Sequence, residues 1–120
     1  MVMGQAARIG SSVLGALASA HQRTAAPGEL NYPFFDVYSL AHAAVGALLR
    51  LSGLAVGWLL LIAVGWEIAE HLLKNLVPAV FPHATQDTLA NSIGDVLSAL
   101  AGWFVAARAA AAAHTRRASG

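Results

Sequence analysis

The chain contains no cysteine, which removes a disulfide framework, a thiolate metal site and a thiol nucleophile together. Charge is nearly as scarce. Lys, Arg, Asp and Glu make up 11% of the 120 residues, against roughly 25% in soluble domains. Seven basic and six acidic side chains leave a formal net charge of +1. That balance carries no polyanion footprint, so nucleic acid is excluded as a partner. Signature motifs are missing too. There is no H-E-x-x-H zinc-protease pair, no glycine-rich phosphate loop and no Glu-x-x-His of the di-iron bundles. What the chain has is apolar residues, at 58%, and a mean hydropathy of +0.62. Such a composition excludes a disordered chain and a coiled coil, and the length allows one small domain.

A helix that crosses a bilayer needs about 20 apolar residues. The clearest stretch is 54–77, uncharged from Leu54 to Trp66 and stopped by Pro78 and Pro82. The second is 88–112, rich in Ala, Leu and Val. A third, 34–51, is shorter and carries His42 and Arg50; the tight turn Leu51-Ser52-Gly53 joins it to 54–77 as a helical hairpin. Segment 1–20 is open to three readings. It is a weak first span with a small and polar stripe (Arg8, Ser11, Ser12, Gly15, Ser19), an interfacial amphipathic helix, or a signal peptide cleaved at Ala18-Ser19-Ala20. The poverty of leucine in it favours an uncleaved span. Residues 21–33, with Pro27, Gly28 and Pro33, form a loop. The expected fold is therefore all-α, an integral membrane bundle of four transmembrane helices, or three if the first segment does not cross.

The positive-inside rule orients this bundle. With both ends in the cytoplasm, Arg8, Arg50, Arg108, Arg116 and Arg117 fall inside, and only Arg23 and Lys74 outside. Loops 21–33 and 78–87 then lie on the outer side. Residues 113–120 are a basic cytoplasmic tail that meets anionic headgroups.

Of the six acids, only Glu29 lies in an obvious loop. Asp36, Glu67, Glu70, Asp87 and Asp95 each fall in or at the end of an expected span. Ionisable groups there cost about 2.5–3.5 kcal/mol each on insertion, which makes them functional candidates by default. At about 100° per residue, Glu67, Glu70, His71 and Lys74 share one helix face, Asp87, Asn91, Asp95 and Ser98 share another, and Ser39, His42 and Gly46 share a third. Depth agrees. His42 lies about 9 Å inside Asp36, Asp95 about 12 Å inside Asp87, and Glu67 about 12 Å inside Asn75. His42, Glu67, Glu70, His71, Asn91 and Asp95 thus occupy one layer in the outer half of the membrane.

Several carboxylates in a low-dielectric layer require protons or cations for company. His42, His71 and Lys74 supply part of the positive charge. A divalent metal supplies the rest, and mixed Asp, Glu and His ligation suits zinc, manganese or iron, with magnesium admitted where water completes its shell. The candidate ligands are Asp36, His42, Glu67, Glu70, His71, Asp87, Asn91 and Asp95. If the site is catalytic, Glu67 or Asp95 is the acid or base. A polar lipid or cell-envelope headgroup is the other candidate ligand. Against both stands a bland alternative: a satisfied hydrogen-bond network that packs helices in a non-catalytic subunit of a membrane complex. Ion or proton translocation is disfavoured, because the inner half of the bundle is nearly free of polar groups. Ser39, one turn before His42, reads as an incidental neighbour. His21, His83 and His114 fall in loops or the tail. Gly94, Ser98 and Gly102 form a small-residue stripe that permits close helix approach, toward a neighbouring helix, a partner subunit or a second copy.

Three pieces carry a family resemblance: Asp36-Val-Tyr-Ser-Leu-Ala-His42 entering a span, Trp66-Glu67-Ile-Ala-Glu70-His71 near the end of the next, and Asp87-Thr-Leu-Ala-Asn91-Ser-Ile-Gly94-Asp95 opening the last. In this order they resemble the VanZ-like and the related YjdF-like families of small bacterial inner-membrane proteins, over about residues 36–102. The resemblance implies a helical bundle with its polar residues inside and an inner-membrane location. It carries over onto Asp36, His42, Glu67, Glu70, Asp87, Asn91 and Gly94. Glu70-His71 stands where a Glu-x-x-Gln run is common, and the arginine often found before the last Asp motif is missing; both departures favour the YjdF-like side. Some members of these families are associated with tolerance of glycopeptide antibiotics, which names no reaction.

Overall fold

The computed structural model describes residues 23–81 and 85–120. They form three helices, α1 (Val37–Leu51), α2 (Val56–Leu76) and α3 (Leu89–Ala118), with a 3-10 turn at Pro78–Val80. Their only β-type pairing is an isolated bridge between Thr24 and Gln86. The expected first span, 1–20, lies outside the described residues, as does His83, so the described bundle has three helices and not four. Helices α2 and α3 are each long and apolar enough to cross a membrane, whereas α1 falls short with 15 residues.

Helix α1 begins at Val37 and not near Phe34 because Asp36 stops it. The Asp36 carboxylate accepts from the Tyr38 and Ser39 amides, and the Ser39 hydroxyl accepts in return from the Asp36 amide, closing a capping box. Its other end turns at Ser52-Gly53. Gly53 adopts φ +89°, and the Leu54 amide reaches back to the Leu49 carbonyl at 3.0 Å. Helix α3 runs to Ala118, six residues beyond the expected end at 112. The reason is the run Ala109–Ala113, since alanine has the highest helix propensity. The expected tail is therefore largely helical, with Arg108, Arg116 and Arg117 exposed.

Helix α1 lies tightly along α3, while α2 rests on α3 more lightly and barely touches α1. Glycines decide this asymmetry. A Cβ on Gly46 would overlap the Ala99 carbonyl, and one on Gly102 would overlap the Ala43 carbonyl. Both backbones therefore approach where a side chain cannot fit. At the hairpin end the Trp103 indole donates to the Leu54 carbonyl at 2.9 Å, and the Arg50 guanidinium lies 5.2 Å from the Trp103 ring.

The apolar core is small: Leu59, Ala63 and Ala99, with Leu49, Leu54, Val96, Leu100 and Trp103 packed against it. Large apolar side chains instead face outward, Leu40 at 74% exposure and Val105 at 69%. The buried set is rich in polar groups, namely Asn31, Ser39, Lys74, Gln86, Asn91, Asp95 and Ser98. Apolar outside and polar inside is the reverse of a soluble domain and is the distribution expected of a chain surrounded by lipid.

Candidate functional site

The segment before α1 forms a ledge across the start of α3. The Thr88 amide donates to the Asn31 carbonyl, the Thr88 hydroxyl to the Tyr32 carbonyl, and the Asn91 amide group to the Pro33 carbonyl at 2.8 Å. The Gly94 position touches the Phe34 carbonyl so closely that no Cβ would fit. Thr88 also caps α3 by accepting from the Asn91 amide at 3.1 Å. Asn31 ties the other side down, donating to the Thr85 carbonyl, while its own amide donates to Asp36 at 3.0 Å. Beside it Gln86 pairs with the backbone of Arg23 and Ala25 and donates through its side chain to the His71 carbonyl at 2.9 Å. These bonds fix the order in which α1, α3 and the end of α2 meet.

Held this way, three of the eight candidate ligands converge. Asp95, 4% exposed, accepts from the Ser39 hydroxyl at 2.7 Å through one oxygen. Its second oxygen lies 3.6 Å from His42 Nε2. Glu67 of α2 completes the group, and one ligand atom from each of His42, Glu67 and Asp95 lies within 4.8 Å of the others. Both Glu67 carboxylate oxygens are buried and accept no hydrogen bond from the described residues. The Ser92 hydroxyl is their polar neighbour on α3 but stands outside hydrogen-bond geometry. Each helix thus contributes one donor, and one donor is unsatisfied.

Two other candidates join a separate network. Lys74, 2% exposed, reaches Glu70 and Asp87 at 2.8 Å each. Two acids share one base there. Burial pushes the Asp87 carboxyl above its ordinary range, and the Lys74 contact opposes that rise.

The last three stand apart from the converged group. Asp36 is occupied as the α1 cap and Asn91 in the ledge, although the Asn91 side-chain oxygen has no partner among the described residues. His71 is exposed, and it is its backbone carbonyl that is engaged. The six-residue layer expected from helix depth is therefore divided: His42, Glu67 and Asp95 come together, Glu70 joins Lys74 and Asp87 beside them, and His71 and Asn91 stand apart. Ser39, read as incidental in the sequence, links the α1 cap to Asp95. Its position one turn before His42 was the available signal.

Between α1 and α2, floored by α3, runs a cavity of about 480 Å³. His42, Asp95, Glu70, Lys74 and Asp87 line its loop end, and Val45, Leu49, Leu59 and Ile62 line its hairpin end. Compared with known proteins, the chain matches no family model, no curated sequence and no solved structure.

Proposed function

We propose that this chain is a small VanZ-like protein of the bacterial inner membrane that binds a divalent metal ion through His42, Glu67 and Asp95. Its two ends would be cytoplasmic and the site near the periplasmic face, the placement that the arginine distribution favours. The observation that carries the reading is Glu67. A buried carboxylate without a partner costs several kcal/mol, and a metal ion is the partner that a neighbouring imidazole and carboxylate can share with it. Donors around one zinc ion at about 2.1 Å stand roughly 3.4 Å apart, and His42 and Asp95 are already at 3.6 Å. One nitrogen and two carboxylates suit zinc, manganese or iron better than magnesium, which prefers an all-oxygen shell. Ser39 would orient Asp95, as outer-shell groups do in metal sites. Three protein ligands leave a fourth position for water or for a substrate oxygen.

Metal analysis of the protein in mild detergent tests this. About one equivalent of one transition metal is expected, falling severalfold in His42→Ala. Less than about 0.2 equivalents after dialysis against each metal would overturn it.

A second reading is supported by the Glu70–Lys74–Asp87 group, whose members satisfy one another without any ligand. In it the chain is a non-catalytic subunit, and its polar residues serve only to hold helices together. Under that reading Asp95→Asn, which alters the contacts with Ser39 and His42, unfolds the bundle; under the first it leaves it folded and metal-free.

A further inference from the structure

The cavity between α1 and α2 is polarised along its length. On α1 it is lined at helical spacing by Tyr38, Ala41, His42, Val45 and Leu49, and on α2 by Leu59, Ile62, Ala63, Trp66, Glu70 and Lys74. From Leu59 to Trp66 its α2 wall is apolar for about 10 Å, and from Trp66 to Lys74 it turns polar over about 12 Å. The apolar part points toward the hairpin and the polar part toward the loops. Among the described residues one side of the cavity is open, because α1 and α2 barely touch. In a bilayer this opening faces lipid. The gradient therefore runs as it does within one leaflet, headgroup at the boundary and chain toward the middle.

Charge narrows the occupant. Glu70, Asp87 and Asp95 line the polar end against Lys74 as the one lysine. A metal ion held by His42, Glu67 and Asp95 would neutralise that group and still leave two acids, Glu70 and Asp87, to one base. The surplus is negative in either case, so a headgroup that ends in an ammonium is favoured over one that is net anionic. A volume near 480 Å³ lies within the range of small-ligand pockets and accepts part of one lipid, not a whole bilayer lipid. The geometry points to a lipid-binding site in which an amine-bearing phospholipid lays one acyl chain between α1 and α2 and sets its ammonium against Glu70 and Asp87. This inference rests on the membrane placement proposed above and not on the metal.

Native mass spectrometry of the full chain in mild detergent tests it with three probes: lysophosphatidylethanolamine, lysophosphatidylglycerol and chainless glycerophosphoethanolamine. One lysophosphatidylethanolamine is expected to bind, about tenfold tighter than the glycerol lipid, with no competition from the chainless compound. Ala41→Trp fills the cavity from an exposed position of α1 and should weaken binding at least tenfold while metal content stays at the wild-type level. Val45→Phe, a milder filling, should weaken it in the same direction. Equal or tighter binding of the glycerol lipid overturns the headgroup assignment. Displacement by the chainless compound, or unchanged binding in both variants, overturns the chain site. Metal loss without lipid loss in His42→Ala refers to the metal site alone, so the two readings fail separately; unchanged lipid binding there supports this inference.

Discussion

Replacing Glu67 by methionine should make the metal-free protein more stable and the metal-loaded protein less so than wild type. Methionine matches glutamate closely in length and helix propensity and removes both buried oxygens that lack a partner. Each unsatisfied buried acceptor costs about 1–3 kcal/mol, more when charged. The new side chain still has to repack beside Asp95 and Ser92, which offsets part of that. A net gain of about 1–3 kcal/mol is expected in chelator-treated protein, read as a Tm several degrees higher. Zinc at about 1,000 times its Kd adds about 4.1 kcal/mol to the wild type through linkage and nothing to the variant. The order of the two melting curves therefore inverts on adding metal. Thermal unfolding in one detergent, with chelator and then with zinc, reads both arms. A variant less stable than wild type under chelator would refute the reasoning, because Glu67 would then be contributing to packing and not waiting for a ligand.

Lys74→Met leaves Glu70 and Asp87 buried without their shared base and should destabilise by about 3–5 kcal/mol; adding Asp87→Asn and Glu70→Gln should restore much of it, as measured by thermal unfolding. Ser39→Ala removes the donor to Asp95 and the acceptor for the Asp36 amide; metal affinity should fall about 10–100-fold, measured by competition with a chelating dye. Gly46→Val places a side chain where the Ala99 carbonyl already lies and should cost at least about 1–3 kcal/mol by forcing α1 off α3, visible as a lowered Tm. In the loop, the Arg23 hydrogen bonds and the Ala26 amide hold the Glu29 carboxyl down at about 2. A depressed acid stabilises the fold above its unfolded pKa of roughly 4.3. That small contribution fades as pH falls through about 2. Carboxyl NMR should show the low midpoint and its return toward the ordinary range in Arg23→Ala.

Much of the fold was legible because the physics involved is local or compositional. Apolar runs, proline stops and the Leu51-Ser52-Gly53 turn located the hairpin and the last helix to within a few residues, apart from the alanine-driven extension to Ala118. Asp36 was visible as an acid at a helix start, yet its capping role competes with ligation, and spacing cannot say which wins. The cap wins because two amides and the Asn31 amide are already in reach. Helix depth put His42, Glu67, Glu70 and Asp95 in one layer, but depth has no azimuth. Which of them face one another depends on how the helices are rotated and how closely they approach. The glycine contacts of α1 with α3 set that rotation for these two helices, drawing Ser39 onto Asp95.

The sequence by itself determined that this chain is helical and apolar enough for membrane-crossing helices, of which it led us to expect four or three, and that its acids gather at helix ends and interiors. Those conclusions follow from residue counts and from a period of 3.6, which need no neighbour. Only the tertiary structure decided that the acids form two groups, that Lys74 satisfies one of them and leaves Glu67 orphaned in the other, and that a polarised cavity separates α1 from α2. Each of these depends on a distance between residues far apart in the chain, and between α1 and α3 such distances are set by backbone contacts at Gly46, Gly94 and Gly102, where what matters is the side chain that is absent.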